Sequence, residues 1–148
     1  MKRSRNALLF ACIILLLPAL ALSQTDDATP NIAGTWSLGV VTDDGVLMHD
    51  GTFELDQRGY TVKGQYATGS TEYTLMGKCS ADGAIHLKQR EPISITLETR
   101  ETQKRHSVVV EFKGSVNSDG TNFEGERIAT DVESGKIVFK TRFTATRD

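Results

Sequence analysis

The stretch that decides the fold is Glu72 to Lys88, EYTLMGKCSADGAIHLK. Tyr73, Leu75 and Cys79 fall on one parity before an Asp82-Gly83 pair, and Ile85 and Leu87 resume the alternation after it. A period of two puts successive side chains on opposite faces of a strand. Asp-Gly between two such runs supplies the φ-permissive glycine of a tight hairpin. The segment therefore reads as two antiparallel strands, each with one apolar face and one wet face.

The same reading extends in both directions. Thr35–Val41 carries Trp36, Leu38 and Val40 on one side, Gly51–Asp56 carries Phe53 and Leu55, and Tyr60–Ala67 carries Tyr60, Val62 and Tyr66. Downstream, Ile93–Thr99 offers Ile93, Ile95 and Leu97, and Arg105–Lys113 offers Val108, Val110 and Phe112. Thr121–Ile128 offers Phe123, and Lys136–Thr144 offers Ile137, Phe139 and Phe143. Asp44-Gly45, Asp119-Gly120 and Ser134-Gly135 punctuate the runs as further hairpin turns. GKCSADG at Gly77–Gly83 resembles GSVNSDG at Gly114–Gly120, which reads as two similar hairpins in one sheet. No run shows apolar spacing of three and four residues for more than a turn, so no helix is expected.

Eight or nine short antiparallel strands must hide their edges and bury one face. The expected fold is all-β: an antiparallel up-and-down β-barrel of about eight strands, with a two-sheet sandwich as the alternative. Pro92 interrupts Ala84–Thr99, which leaves the register there open. Gly64, Gly77 and Gly125 share the inward parity and are expected to let the wall bend.

The chain of 148 residues begins with a basic, apolar, small-residue pattern. Lys2, Arg3 and Arg5 precede the apolar run Ala7–Leu17, and Ala21-Leu22-Ser23 forms the exit, so residues 1–23 read as a secretory signal. The apolar run is short of the roughly 20 residues of a bilayer span. Residues 24–30 are a polar lead-in, and 31–148 one barrel domain. Removing the three signal bases leaves 14 basic against 19 acidic residues, a net charge of −5. No basic field remains to hold phosphate backbones, so no nucleic-acid partner is expected. The segment Arg100–His106 is locally basic but reads as a solvated connection. The mature chain is expected to be secreted or periplasmic, with no stable transmembrane span.

Gly34 and Trp36 on the first strand, with a late arginine at Arg142 or Arg147, resemble the lipocalin, fatty-acid-binding and avidin group of barrels, a lipocalin/calycin-like pattern. The resemblance implies that Trp36 plugs a closed barrel end and that a late arginine, Arg142 first, covers it. It further implies that Arg127, Tyr60, Tyr66 and Tyr73 meet a ligand, together with Phe112 and Phe139 from the inward register. Avidin-like proteins line their biotin pocket with several tryptophans, whereas Trp36 is the only one here; a biotin site is not expected.

Chemistry beyond binding has little sequence support. His49, His86 and His106 form no close pair, and no metal site or cofactor is expected. The serines sit in no nucleophile elbow. Glu124 and Glu126 share a strand face expected to meet solvent. Cys79, the lone thiol after residue 23, reads as a small buried hydrophobe. The functional expectation is an exported non-enzymatic binding protein for a small apolar ligand. The alternative is a filled-core barrel serving as an envelope or extracellular protein-interaction module.

Overall fold

The structure is a computed structural model that describes residues 29–98 and 103–148. The expected signal segment and most of the polar lead-in lie outside the described residues. Nine strands follow one another: β1 Gly34–Val41, β2 Leu47–Arg58, β3 Thr61–Thr68, β4 Thr71–Cys79, β5 Ala84–Gln89, β6 Ile93–Glu98, β7 Gln103–Val116, β8 Asn122–Asp131 and β9 Ile137–Arg147. Each expected strand is present. Of the run Arg100–His106, expected to be a solvated connection, residues 100–102 lie outside the described residues, while Gln103–His106 belongs to β7.

Every pairing is antiparallel: successive strands pair except β5 and β6, β5 pairs instead with β7, and β9 pairs with β1. These two pairings close the sheet into an eight-stranded up-and-down barrel and remove the edges a sandwich would leave, except along β6, which pairs with β7 alone among the described residues. The ambiguity at Pro92 has a definite outcome. β5 and β6 are two halves of one line, both running against β7: Lys88 meets Glu111 and, after the kink, Ile93 meets Val108. Four residues on one strand span two on the other. Pro92 supplies no N–H for a ladder, so the interruption falls there.

The interior is built from the alternating parity. Trp36, Phe53, Phe112 and Phe123 are fully buried, with Leu38, Val62, Leu75, Leu87 and Val108 between them. The rings interlock edge to face: Trp36 to Phe123 at 4.8 Å, Phe53 to Phe112 at 4.9 Å, and Phe112 to Phe143 at 5.5 Å between centroids. Offset and T-shaped pairs at such distances are the favoured geometries for aromatic quadrupoles. This stack fills the half of the barrel that contains the N-terminal end of β1.

Two predicted inward residues face outward. Tyr60 is 57% exposed because it sits in the turn ahead of β3, where its carbonyl accepts from Cys79 N at 2.9 Å. Ile137 is 61% exposed. The register shifts where Ala129 meets Phe139 and Thr130 meets Ile137, so Val138 is an extra residue. That bulge turns Ile137 out and leaves Val138 against the core.

The two similar heptapeptides occupy equivalent places. Gly83 and Gly120 both take positive φ, at 83° and 66°, in the β4–β5 and β7–β8 turns. Their leading glycines, Gly77 and Gly114, both lie under a neighbouring carbonyl.

Candidate ligand site at the open end of the barrel

The two barrel ends differ in chemistry. At the closed end, Trp36 Nε1 donates to Ile32 O at 2.9 Å, and the Arg147 guanidinium lies 4.7 Å from the indole centroid. Arg147 also donates to Asn31 O, tying the last strand to the segment before the first. The arginine over the tryptophan is thus Arg147 and not Arg142. β9 alternates, so Arg147 shares inward parity with Phe143 and Ala145, whereas Arg142 is exposed on the outer wall. Gly34 opens β1 with φ of 128°, a conformation suited to glycine.

At the other end a polar layer rests on the aromatic stack. Arg127 Nη1 donates to Asp50 Oδ2 at 2.7 Å, and Tyr66 OH donates to the same oxygen. Tyr66 OH also lies 3.4 Å from Arg127 Nη1. Thr68 Oγ1 donates to the Asp50 carbonyl at 2.6 Å and pins the backbone that presents the carboxylate. Tyr66 and Arg127 arrive on the ordinary inward parity of β3 and β8. Asp50 does not. Leu38 pairs with Gly51 but Gly39 pairs with His49, so Asp50 is the extra residue of a bulge in β2. The bulge re-aims its side chain into the barrel.

Burial and the hydrogen bond to Asp50 push the Tyr66 phenol up to about 12. A neutral phenol donating to a carboxylate is the form this layer favours. The arginine charge is met by Asp50 at partial burial, the two side chains being 17% and 24% exposed. Two atoms of the layer are buried without a hydrogen-bond partner among the described residues: Arg127 Nε and Thr141 Oγ1. Arg127 and Thr141 are directly opposed across β8 and β9.

Around this layer stand Tyr73, whose ring lies 5.9 Å from that of Tyr66, and Phe139, whose ring lies 5.4 Å below the Arg127 guanidinium. Phe112 sits in the floor, 5.4 Å from Tyr66. Five of the six residues expected at a ligand therefore share one end of the barrel: Tyr66, Tyr73, Phe112, Arg127 and Phe139. Tyr60 belongs to the opposite end and to the exterior.

Sequence reading missed Asp50, Thr141, and the pair His106 and Asp131. His106 Nδ1 donates to Asp131 Oδ2 at 2.8 Å, and Asp131 Oδ1 accepts from Ser134 N at 2.7 Å and Ser134 Oγ at 2.8 Å. These bonds, the Ser134 backbone N–H first, hold the Asp131 carboxyl well below its usual range. The signal for Asp50 was the glycine that follows it, since glycine within a strand often marks a bulge.

Other candidate chemistry is dispersed. His86 Nε2 lies 3.0 Å from Glu111 on the outer wall. Among the described residues no group of three His, Cys, Asp or Glu side chains converges on one point. Cys79 is buried, and burial pushes its thiol up, away from the nucleophilic thiolate. A groove of about 690 Å³ runs along the outside of the wall, where Glu124, Glu126, Arg142 and Thr144 point away from the core.

The chain matches no family model, no curated protein and no solved structure. Its closed eight-stranded antiparallel barrel is consistent with the lipocalin/calycin architecture.

Proposed function

We propose that this is an exported, non-enzymatic binding protein that holds a small, largely apolar molecule at the open end of the barrel. The observation that carries the reading is the pair of buried, unpartnered polar atoms, Arg127 Nε and Thr141 Oγ1, above an aromatic floor. An unsatisfied buried donor costs about 1–3 kcal/mol. A ligand oxygen that reached these atoms through a shift of the Arg127 side chain would recover part of that cost while its apolar body meets Tyr73 and Phe139.

The charge balance of the layer selects the ligand's head. Asp50 already neutralises Arg127 at 2.7 Å. A carboxylate ligand would bring a second anion beside Asp50, whereas a neutral carbonyl, ester or hydroxyl would not. The proposed ligand is therefore a neutral, oxygen-bearing apolar molecule. Because the closed half is filled with rings, it would sit near the mouth and not deep in the barrel.

Native mass spectrometry of the chain purified from its own host tests this reading. The expected result is a reproducible added mass that is lost on denaturation and is absent from a folded Arg127→Gln variant. Absence of any added mass, together with no uptake of a neutral apolar dye, would overturn it.

A second reading rests on a separate observation. Val46, Leu47 and Met48 of the β1–β2 hairpin and Val132 and Ile137 beside the β8–β9 turn are all more than half exposed. Both hairpins are at the open end and adjacent through the β9–β1 pairing. A filled barrel docking a protein partner through this rim would explain the cluster. In that case Leu47→Asp would abolish capture of the partner and leave the dye result unchanged.

A further inference from the structure

Strand β6 carries a structural problem that the rest of the barrel avoids. Among the described residues it pairs with β7 alone. The wall on its other flank runs out. Leu75 of β4 is level with Gln89, and β4 begins only at Thr71, so the Gly69-Ser70 turn ends about level with Ile93. Beyond β7 the wall also stops, since β8 ends at Asp131 opposite Val108, with one further bond from Val132 N to Ser107 O at 2.8 Å. β6 and the start of β7 thus run on as a two-stranded ribbon past the end of the paired wall, with Ile93 and Ile95 packed against the core and the outer edge of β6 unpaired among the described residues.

A two-stranded ribbon is marginal in water by itself, and its edge presents a row of unpaired N–H and C=O groups. The usual protections are missing from the strand. Ile93–Glu98, ISITLE, contains no proline, glycine or lysine, and its one charge stands at the end. Ile93, Ile95 and Leu97 are half-buried on one face, while Ser94, Thr96 and Glu98 are exposed on the other.

The strand's polarity is palindromic. Apolar, hydroxyl, apolar, hydroxyl, apolar reads the same from either end about Ile95. Antiparallel pairing about a twofold axis through Ile95 would set Ile93 against Leu97 and Ser94 against Thr96, keeping each face matched. A slip by one residue would set apolar against hydroxyl throughout. The charge also fits. Glu98 falls opposite Pro92 and diagonal to Arg90 of the second copy, within the reach of long side chains, and symmetry repeats the acid–base match at the other end.

We infer that β6 pairs antiparallel with β6 of a second copy of this chain, joining two barrels through a continuous sheet. The contact would lie beside a notch of about 200 Å³ between β4 and the kink, lined by Tyr73, Gln89, Arg90 and Ile93 among others. This inference is independent of what the open end binds.

Light scattering on the eluting full chain, with two charge variants, tests it. Wild type is expected at twice the chain mass, falling toward the monomer on dilution. Ser94→Lys with Thr96→Lys sets like charges against each other at two positions, and Ser94→Glu with Thr96→Glu does the same with the opposite sign. Each variant alone is expected at half the wild-type mass with an unchanged circular dichroism spectrum. An equimolar mixture of the two is expected to recover the dimer mass. A monomeric wild type overturns the inference, including one whose 93–98 amides are protected from exchange because another segment of the same chain covers them. So does a dimer that survives both variants, or a mixture that stays monomeric.

Discussion

Asp50 shows how one side chain can change the chemistry of an interior. Without it, Arg127 would be a largely buried cation facing tyrosines and phenylalanines. With it, the layer is neutral, and Tyr66 OH gains an acceptor it shares with the guanidinium. Removing one partner of such a pair leaves the other charge uncompensated, which is more costly than never having buried either. The phenol reports on this arrangement. Its folded value is raised from 10.0 to about 12, so the stability it contributes is complete below pH 10 and is lost as pH rises toward 12. Titration of phenolate absorbance should therefore show a tyrosine ionising near 12 in the folded protein. Tyr66→Phe should remove that step and flatten the alkaline fall in stability. If all tyrosines ionise near 10 in the folded chain, the Asp50–Tyr66 contact is wrong.

At the scale of the strands, the departures from regular alternation are what shape the site and the wall. Extra residues at Asp50 and Val138 flip side chains that a strict period of two would place on the other face. Both bulges lie toward the open end. Glycine does the complementary work of letting strands approach. A Cβ on Gly125 would sit 2.0 Å from Lys113 O and 2.5 Å from Gly114 Cα, and Gly64 and Gly77 are equally crowded by neighbouring backbone. The expectation that these three positions let the wall bend agrees with that crowding, since barrel corners need strands that coil closely. Gly125→Ala should lower unfolding stability by more than about 2 kcal/mol, because backbone on two strands must move. Gly120→Ala, with φ of 66° but open space around it, should cost about 1 kcal/mol from conformation alone. Urea unfolding followed by the fluorescence of the single tryptophan, Trp36, compares the two; equal losses would refute the close approach.

For the molecule as a whole, stability against acid rests on carboxylates tied across strands on or near the outer surface. Glu111 accepts from Lys113 Nζ at 2.8 Å and lies 3.0 Å from His86 and 3.5 Å from Lys88. The Lys113 bond above all, with His86 in support and burial opposing, brings its carboxyl from 4.5 down to about 2. A depressed value means that the unfolded chain takes up the proton first. The contribution is therefore complete above pH 4.5 and is lost as pH falls toward 2. Asp131 acts in the same direction while fastening the β8–β9 turn to His106. Urea midpoints measured at descending pH should fall across that window, and Glu111→Gln should make the fall shallower without changing the midpoint's sensitivity to alkali. A variant with an unaltered acid limb would show that the Lys113–Glu111–His86 cluster contributes nothing.

The alternation at Glu72–Lys88 and its repeats determined the strands, their hairpin connections and most of the core by themselves, because burial of one face enforces a period of two locally. Trp36, Phe53, Tyr66, Phe112 and Phe123 were legible for that reason. Closure was only inferable, since the β5–β7 and β9–β1 pairings join segments far apart in sequence. The aim of Asp50, the outward turn of Ile137 and the choice of Arg147 over Arg142 were decided in the tertiary structure. Each depends on a register set by a neighbouring strand, and a single extra residue in a ladder reverses which side of the wall a side chain faces.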